Sequence, residues 1–196
     1  IQALAAVAQD HDLAVHLDGA RLWNAAAALG LPEETLVAPA DITWVALSKG
    51  LGAPVGSVVA GPAPLREEAR RARKQFGGGM RQAGILAAAG LYALDHHRPE
   101  LAHDHEKAQR LAGGIAECPP FSIDPDAVDT NIVMFEVSEN TADEVAAHLR
   151  EQGVLLTVFG PSTIRATTHR DVSMAAIEEA LDVLRSYAHR APTPAK

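Results

Sequence analysis

Two apolar runs each end in a turn loaded with chemically capable residues, and this pairing constrains the chain more than anything else in it. Residues 42–47 form a near-continuous apolar run that leads into Ser48-Lys49-Gly50-Leu51-Gly52-Ala53-Pro54-Val55-Gly56-Ser57. Upstream, residues 13–17 form a short β-rich run that Asp18-Gly19 closes, within His16-Leu17-Asp18-Gly19-Ala20-Arg21. A near-continuous apolar run fits a strand buried on both faces of a parallel sheet. The alanine-rich stretch 21–29 between the two runs reads as a helix, stopped by Gly30 and Pro32. Strand, helix and strand in succession argue for α/β organisation.

The remaining sequence continues that alternation. Helices are expected over residues 1–12, 65–75, 80–96, 101–117, 141–152 and 173–189, and strands over 56–60, 131–137, 154–158 and 164–168. In the helix from 101, Leu101, Ala108, Leu111 and Ile115 recur at a spacing that marks a buried face. The composition shifts at Cys118-Pro119-Pro120. The expected organisation is the second half of a large α/β domain over residues 1–98, a smaller α/β domain over 99–190, and a disordered tail over 191–196. The chain opens at Ile1 without a methionine, inside what reads as a helix already under way. It is therefore expected to be the later part of a longer protein.

Composition narrows the partners. A chain that is 47% apolar and 21% charged is ordinary for a globular protein. A net charge of -8 argues against nucleic acid and acidic membranes, which call for a basic face. The single cysteine, Cys118, has no internal partner for a disulfide, which suits a reducing cytoplasm. The histidines on expected helices read as surface residues, and none has metal-ligand spacing, so no metal is assigned.

In an open α/β sheet the ligand crevice lies beyond the carboxyl ends of the strands. Asp18 and Lys49 both occupy such ends, and the chain between them has room for a helix and a return loop. An amine and an acid converging there suit pyridoxal phosphate (PLP), because lysine condenses with the cofactor aldehyde and the acid faces the pyridine nitrogen. A carboxylate keeps that nitrogen protonated through opposite charge, which asparagine would not do. Each element also has a plainer reading. Asp-Gly after a strand is commonly a turn, and Ser-Lys-Gly is commonly a solvated loop.

Longer motifs add a resemblance. The segment His16-Leu17-Asp18-Gly19-Ala20-Arg21-Leu22-Trp23-Asn24-Ala25 resembles a conserved block of the low-specificity L-threonine aldolases, enzymes of PLP fold type I. Ser48 to Ser57 is similar to the lysine loop of that family. Arg73-Lys74, followed by Gly77-Gly78-Gly79-Met80-Arg81-Gln82-Ala83-Gly84, is similar to its next block. Ile164-Arg165-Ala166-Thr167-Thr168-His169, with Asp171-Val172, is similar to its C-terminal arginine motif. The blocks occur in the family's order.

The resemblance implies cleavage of L-threonine and related β-hydroxy-α-amino acids to glycine and an aldehyde. It implies that Lys49 bonds PLP, that Asp18 pairs with the ring nitrogen, and that Arg21 and Arg165 hold the substrate carboxylate. Without it, Arg165 reads rather as part of a surface ion pair. His16 lies two residues before Asp18 on the same strand face and is either a hydrogen-bond partner of Asp18 or a core histidine. Lys74 and Arg81 either belong to a solvated basic face or reach a crevice or a neighbouring subunit's phosphate. The family's phosphate cradle, ring-stacking residue and catalytic base lie earlier than the matched blocks. A homodimer or homotetramer is implied. Another PLP-dependent β-eliminating lyase, a non-catalytic fragment of such an enzyme, and a plain α/β interaction domain are the alternatives.

Overall fold

The computed structural model describes residues 1–138 and 140–190, with only the backbone described for residues 189 and 190. The expected tail at 191–196 and the side chain of His189 lie outside the described residues. The chain divides into two compact units, Ile1–Leu101 and Ala102–Lys196.

The first unit holds α1 (Gln2–Asp10), β1 (His16–Gly19), α2 (Leu22–Leu29), α3 (Glu33–Val37), β2 (Ile42–Ala46), β3 (Ser57–Ala60), α4 (Arg66–Gln75) and α5 (Gly84–His96). β1 pairs with β2 in parallel, and β3 pairs with β2 antiparallel. The register sets His16 against Ile42 and Asp18 against Trp44. The crossover between the parallel strands is α2 followed by α3. Gly30 closes α2 in the left-handed region at φ 63°, where a side chain would be strained. Glu33 and Glu34 fill the first turn of α3, where their charge complements the helix dipole.

Two strand boundaries depart from expectation. β1 begins at His16 rather than residue 13 and runs through Asp18-Gly19, because the pairing with β2 continues to Gly19 opposite Val45. Gly19 does not turn the chain. A Cβ there would lie 2.7 Å from the Trp44 carbonyl oxygen, so glycine is what lets the strand pass. The third strand is antiparallel and exposed at all four residues, with Val59 62% exposed. The buried apolar cluster of this unit is small: Leu51, Ala53, Ala93 and Leu101, with Trp23, Leu47 and Leu94 packed against it.

The second unit holds most of α6 (Leu101–Ala116), then β4 (Phe121–Ser122), β5 (Ile132–Val137), α7 (Ala142–Glu151), β6 (Thr157–Val158), β7 (Thr163–Thr167) and α8 (Met174–Arg190). Its sheet has the order β4-β5-β7-β6 and is antiparallel throughout. One face is buried by strict alternation. Val133, Phe135 and Val137 of β5 and Ile164 and Ala166 of β7 turn inward, to meet Ala108, Leu111, Ala112 and Ile115 of α6 and Val145 and Leu149 of α7. Ile177, Leu181 and Leu184 of α8 complete this core. The four positions picked out on α6 by spacing are all buried. α7 starts with a reciprocal cap in which the Glu144 N–H donates to Thr141 Oγ1 while Glu144 accepts from the Thr141 N–H. The strand expected over 154–158 is confined to Thr157–Val158.

Candidate active site

Trp44 of β2 is the residue to which both Asp18 and Lys49 are related in the structure. In a parallel ladder, register partners project to the same side, and residues two apart along a strand share that side. His16, Asp18 and Trp44 therefore stand on one face. Lys49 follows the end of β2 and folds back over it, with Nζ 5.7 Å from the Trp44 ring centroid, within cation–π range. Asp18 and Lys49 are both exposed. Asp18 Oδ1 accepts from the Ala20 N–H at 3.0 Å, which fixes the carboxylate against the start of α2. Arg21 is the N-terminal cap residue of α2 and is half-buried. Trp44 thus has Lys49 Nζ over its ring and Asp18 as its register partner in the parallel ladder.

The lysine loop is built rather than slack. The Leu47 N–H donates to Gly56 O, the Ala53 N–H to Leu47 O, and the Gly52 N–H to Lys49 O. Gly52 at φ 66° and Gly56 at φ 118° occupy backbone conformations that side chains disfavour. Leu51 is fully buried and anchors the loop, while His97 Nδ1 lies 2.6 Å from Leu51 O, where a protonated Nδ1 donates to the carbonyl. Beneath the loop, a Cβ on Gly50 would sit 2.4 Å from Oδ1 of the buried Asn24. Trp44, Asn24 and His97 thus shape this site, and reading the sequence did not assign them to it. Trp44 looks like an ordinary strand residue, and His97 like one more surface histidine on a helix.

The other expected residues fall as follows. His16 is exposed and makes no hydrogen bond to Asp18 among the described residues, so it is neither a core histidine nor that residue's partner. Lys74 and Arg81 are exposed, and no hydrogen bond or ion pair joins either of them to Asp18 or Lys49 among the described residues. The Lys74 stem lies along Gly79, where a Cβ would be 2.9 Å from Lys74 Cδ. Arg165 lies in the second unit, in the middle of β7, on the face away from the core. Its guanidinium stacks 5.5 Å from the Phe159 ring, and its Nε is buried with no hydrogen-bond partner among the described residues. Among the described residues it makes no ion pair. A buried N–H without an acceptor is costly and suits an anion that arrives as ligand.

Titration elsewhere has local causes. His105 is held below the usual imidazole range, chiefly by burial, with Asp104 acting in the opposite sense. Glu136 is pulled down by the Ser162 and Thr163 hydroxyls that donate to it. Burial raises the Cys118 thiol.

Comparison with known proteins shows the family. The model of the beta-eliminating lyases matches residues 1–140. "Low-specificity L-threonine aldolase 1" of Arabidopsis thaliana is 42% identical over 178 residues, which is 89% of this chain and 50% of that protein. The low specificity L-threonine aldolase of Escherichia coli O157:H7 is 37% identical over 182 residues, 93% of this chain and 53% of that protein. The chain thus spans about half the length of the curated relatives it matches. The solved structure of Leishmania major threonine aldolase superposes with a TM-score of 0.75 at 19% identity, over 95% of this chain and 55% of that one. That likeness shows the fold, and it is the α/β class expected from the sequence. Among the described residues no helix is long and apolar enough to cross a membrane. With an amine and a carboxylate on one sheet face, a matched fold and a matched family model covering most of its length, the chain belongs to the beta-eliminating lyase family.

Proposed function

We propose that this protein carries the lysine- and acid-bearing part of a PLP-dependent aldolase that cleaves L-threonine and related β-hydroxy-α-amino acids to glycine and an aldehyde. One observation supports this reading: Lys49 Nζ lies over the Trp44 ring, and Asp18 is the register partner of Trp44 in the β1–β2 ladder. The residues fit the cofactor. Lys49 offers a primary amine on a loop whose shape its glycines hold. Asp18 offers a carboxylate anchored at one oxygen by a backbone N–H, and His16 stands beside it on the same face.

PLP, when bound, supplies an electron sink for the negative charge left at Cα when a bond to that carbon breaks. Asp18 would face the pyridine nitrogen and keep it protonated by opposite charge, and Lys49 Nζ would be the amine that holds the cofactor. Arg21 and Arg165 are each candidates, by the family resemblance, for holding the substrate carboxylate, since a guanidinium matches two carboxylate oxygens in a plane. Holding that carboxylate orients the Cα–Cβ bond, and orientation is worth a large part of a barrier. Lys74 and Arg81 remain candidates for a crevice or a neighbouring subunit's phosphate, since both are exposed and neither is ion-paired to a carboxylate among the described residues.

Assembly as a homodimer or homotetramer is part of the proposal. α5 exposes Ile85, Leu91 and Tyr92, and a helix apolar on several sides calls for a covering surface. A cytoplasmic location is supported by the free, buried Cys118.

The test is product analysis with PLP and L-threonine. Glycine and acetaldehyde in equal amounts support the aldolase. Pyruvate and ammonia from L-serine, with no glycine from threonine, would make the protein a β-eliminating lyase instead, the second reading that the family name favours.

A further inference from the structure

The second unit buries a charge that the proposed reaction does not use. Lys107 on α6 is 7% exposed and its ammonium has three donors. All three find acceptors: Asp104 Oδ1 at 2.7 Å, His169 O at 2.8 Å and Val172 O at 2.8 Å. Asp104 is 2% exposed. A buried pair of this kind survives only when its remaining hydrogen-bonding capacity is met, and removing one partner strands the other.

The acceptors are not scattered. His169 O and Val172 O belong to the turn that leaves β7, and two further residues grip the same turn. Thr168 Oγ1 donates to Asp104 O at 2.6 Å, and Asn131 Nδ2 donates to Thr168 O at 2.9 Å. The Thr168 N–H donates to Asn131 O, and the Val172 N–H closes the turn on His169 O. β7 is therefore clamped at its carboxyl end by α6 and by the residue that precedes β5. Arg165 lies three residues before Thr168 on that strand, opposite Met134 of β5 and Thr157 of β6. Any slip of the turn along β7 moves the guanidinium relative to Phe159.

We infer that Lys107, paired with Asp104, is a positioning residue for Arg165. It sets the height of β7 through the 168–172 turn and so sets where the guanidinium meets a carboxylate. The inference rests on the reading of Arg165 as carboxylate ligand. Lys107 touches neither substrate nor cofactor. Its ammonium donates to two carbonyls of one turn, His169 O, which also accepts from the Val172 N–H, and Val172 O.

Two variants test it. Lys107→Met leaves Asp104 buried without its cation. The double variant Asp104→Leu with Lys107→Met removes both charges, and such replacements often keep a protein folded. Three quantities are compared with wild type in the full chain: amide exchange of Thr168 and Val172, the Arg165 Nε–H resonance, and KM and kcat for L-threonine with PLP. The expectation for the folded double variant is exchange at both amides faster by about tenfold or more, a displaced Nε–H resonance, and a KM raised about tenfold with kcat nearly unchanged; tenfold corresponds to about 1.4 kcal/mol. A folded double variant with an unmoved Nε–H resonance, or with a kcat loss at constant KM, overturns the inference. A double variant that fails to fold makes the pair a folding element only, and rejects the positioning role. Absence of threonine turnover in wild type defeats the aldolase reading instead, and the Nε–H resonance then decides the role of Lys107 alone.

Discussion

The two units solve opposite problems with the same kinds of element. The second unit buries one face of a four-stranded sheet under three helices, and hydrogen bonds and an ion pair tie together Asp104, Lys107, Asn131 and Thr168. The first unit leaves one face of its sheet open, keeps a small apolar cluster under the lysine loop, and places Asp18 and Lys49 in that opening. The contrast teaches where reactivity is held. The amine and the acid depend on loop and strand geometry with little packing above them, whereas Arg165 depends on a clamped strand. Substitutions should therefore separate chemistry from stability in the first unit and couple them in the second.

The largest separation is expected at Asp18. Asp18→Asn keeps a hydrogen-bonding side chain but loses the charge, and turnover of L-threonine should fall by about 10²-fold or more. Urea unfolding should stay within about 0.5 kcal/mol of wild type, as for exposed positions generally. A large stability loss would break the comparison. The reverse pattern is expected at Leu149, which is fully buried in the second core. Leu149→Ala should cost about 2–5 kcal/mol in urea unfolding, whereas Val59→Ala on the exposed β3 should change it by less than about 0.5 kcal/mol.

Gly50→Ala is the intermediate case. Its Cβ would approach Asn24 Oδ1 to 2.4 Å, so the lysine loop must shift. A loss of about 1–3 kcal/mol is expected from overpacking, together with weaker PLP retention. Unchanged retention would show that Asn24 does not set the loop. The smallest effect belongs to Glu144, whose carboxyl the Thr141 N–H and hydroxyl hold below the usual carboxylate range. A folded-state pKa below the unfolded one means that the folded state binds fewer protons as pH falls. That stability is present above the unfolded value of about 4.3 and is lost as pH drops through the folded value. Unfolding measured from neutral to acid pH should show a shallower acid decline in Glu144→Gln than in wild type.

Much of this was legible in the residues. The apolar run before Lys49 and the alternation in β5 mark strands because burial demands those patterns. The α6 spacing names its buried face for the same reason. Asp18-Gly19 misleads as a strand stop, since a glycine chosen for close backbone approach and one chosen for a turn look alike in sequence. α3 is too short for periodicity to reveal, although Pro32 followed by Glu33 and Glu34 is a helix-start signal. Lys107 and Asp104 stand three apart on a helix, where charges usually face solvent. Only the turn at 168–172, distant in sequence, converts them into a buried clamp. The same holds for Trp44, whose part in the site comes from the fold of the loop that follows it.

The central claim is that Lys49 supplies the amine at a face it shares with Asp18. The most direct measurement is borohydride reduction of the protein with PLP, followed by digestion and mass spectrometry of the labelled peptide. The account predicts a pyridoxyl label on the peptide that contains Lys49, and its loss in Lys49→Ala. A label on Lys74 or Lys107, or a label that persists in Lys49→Ala, would contradict it.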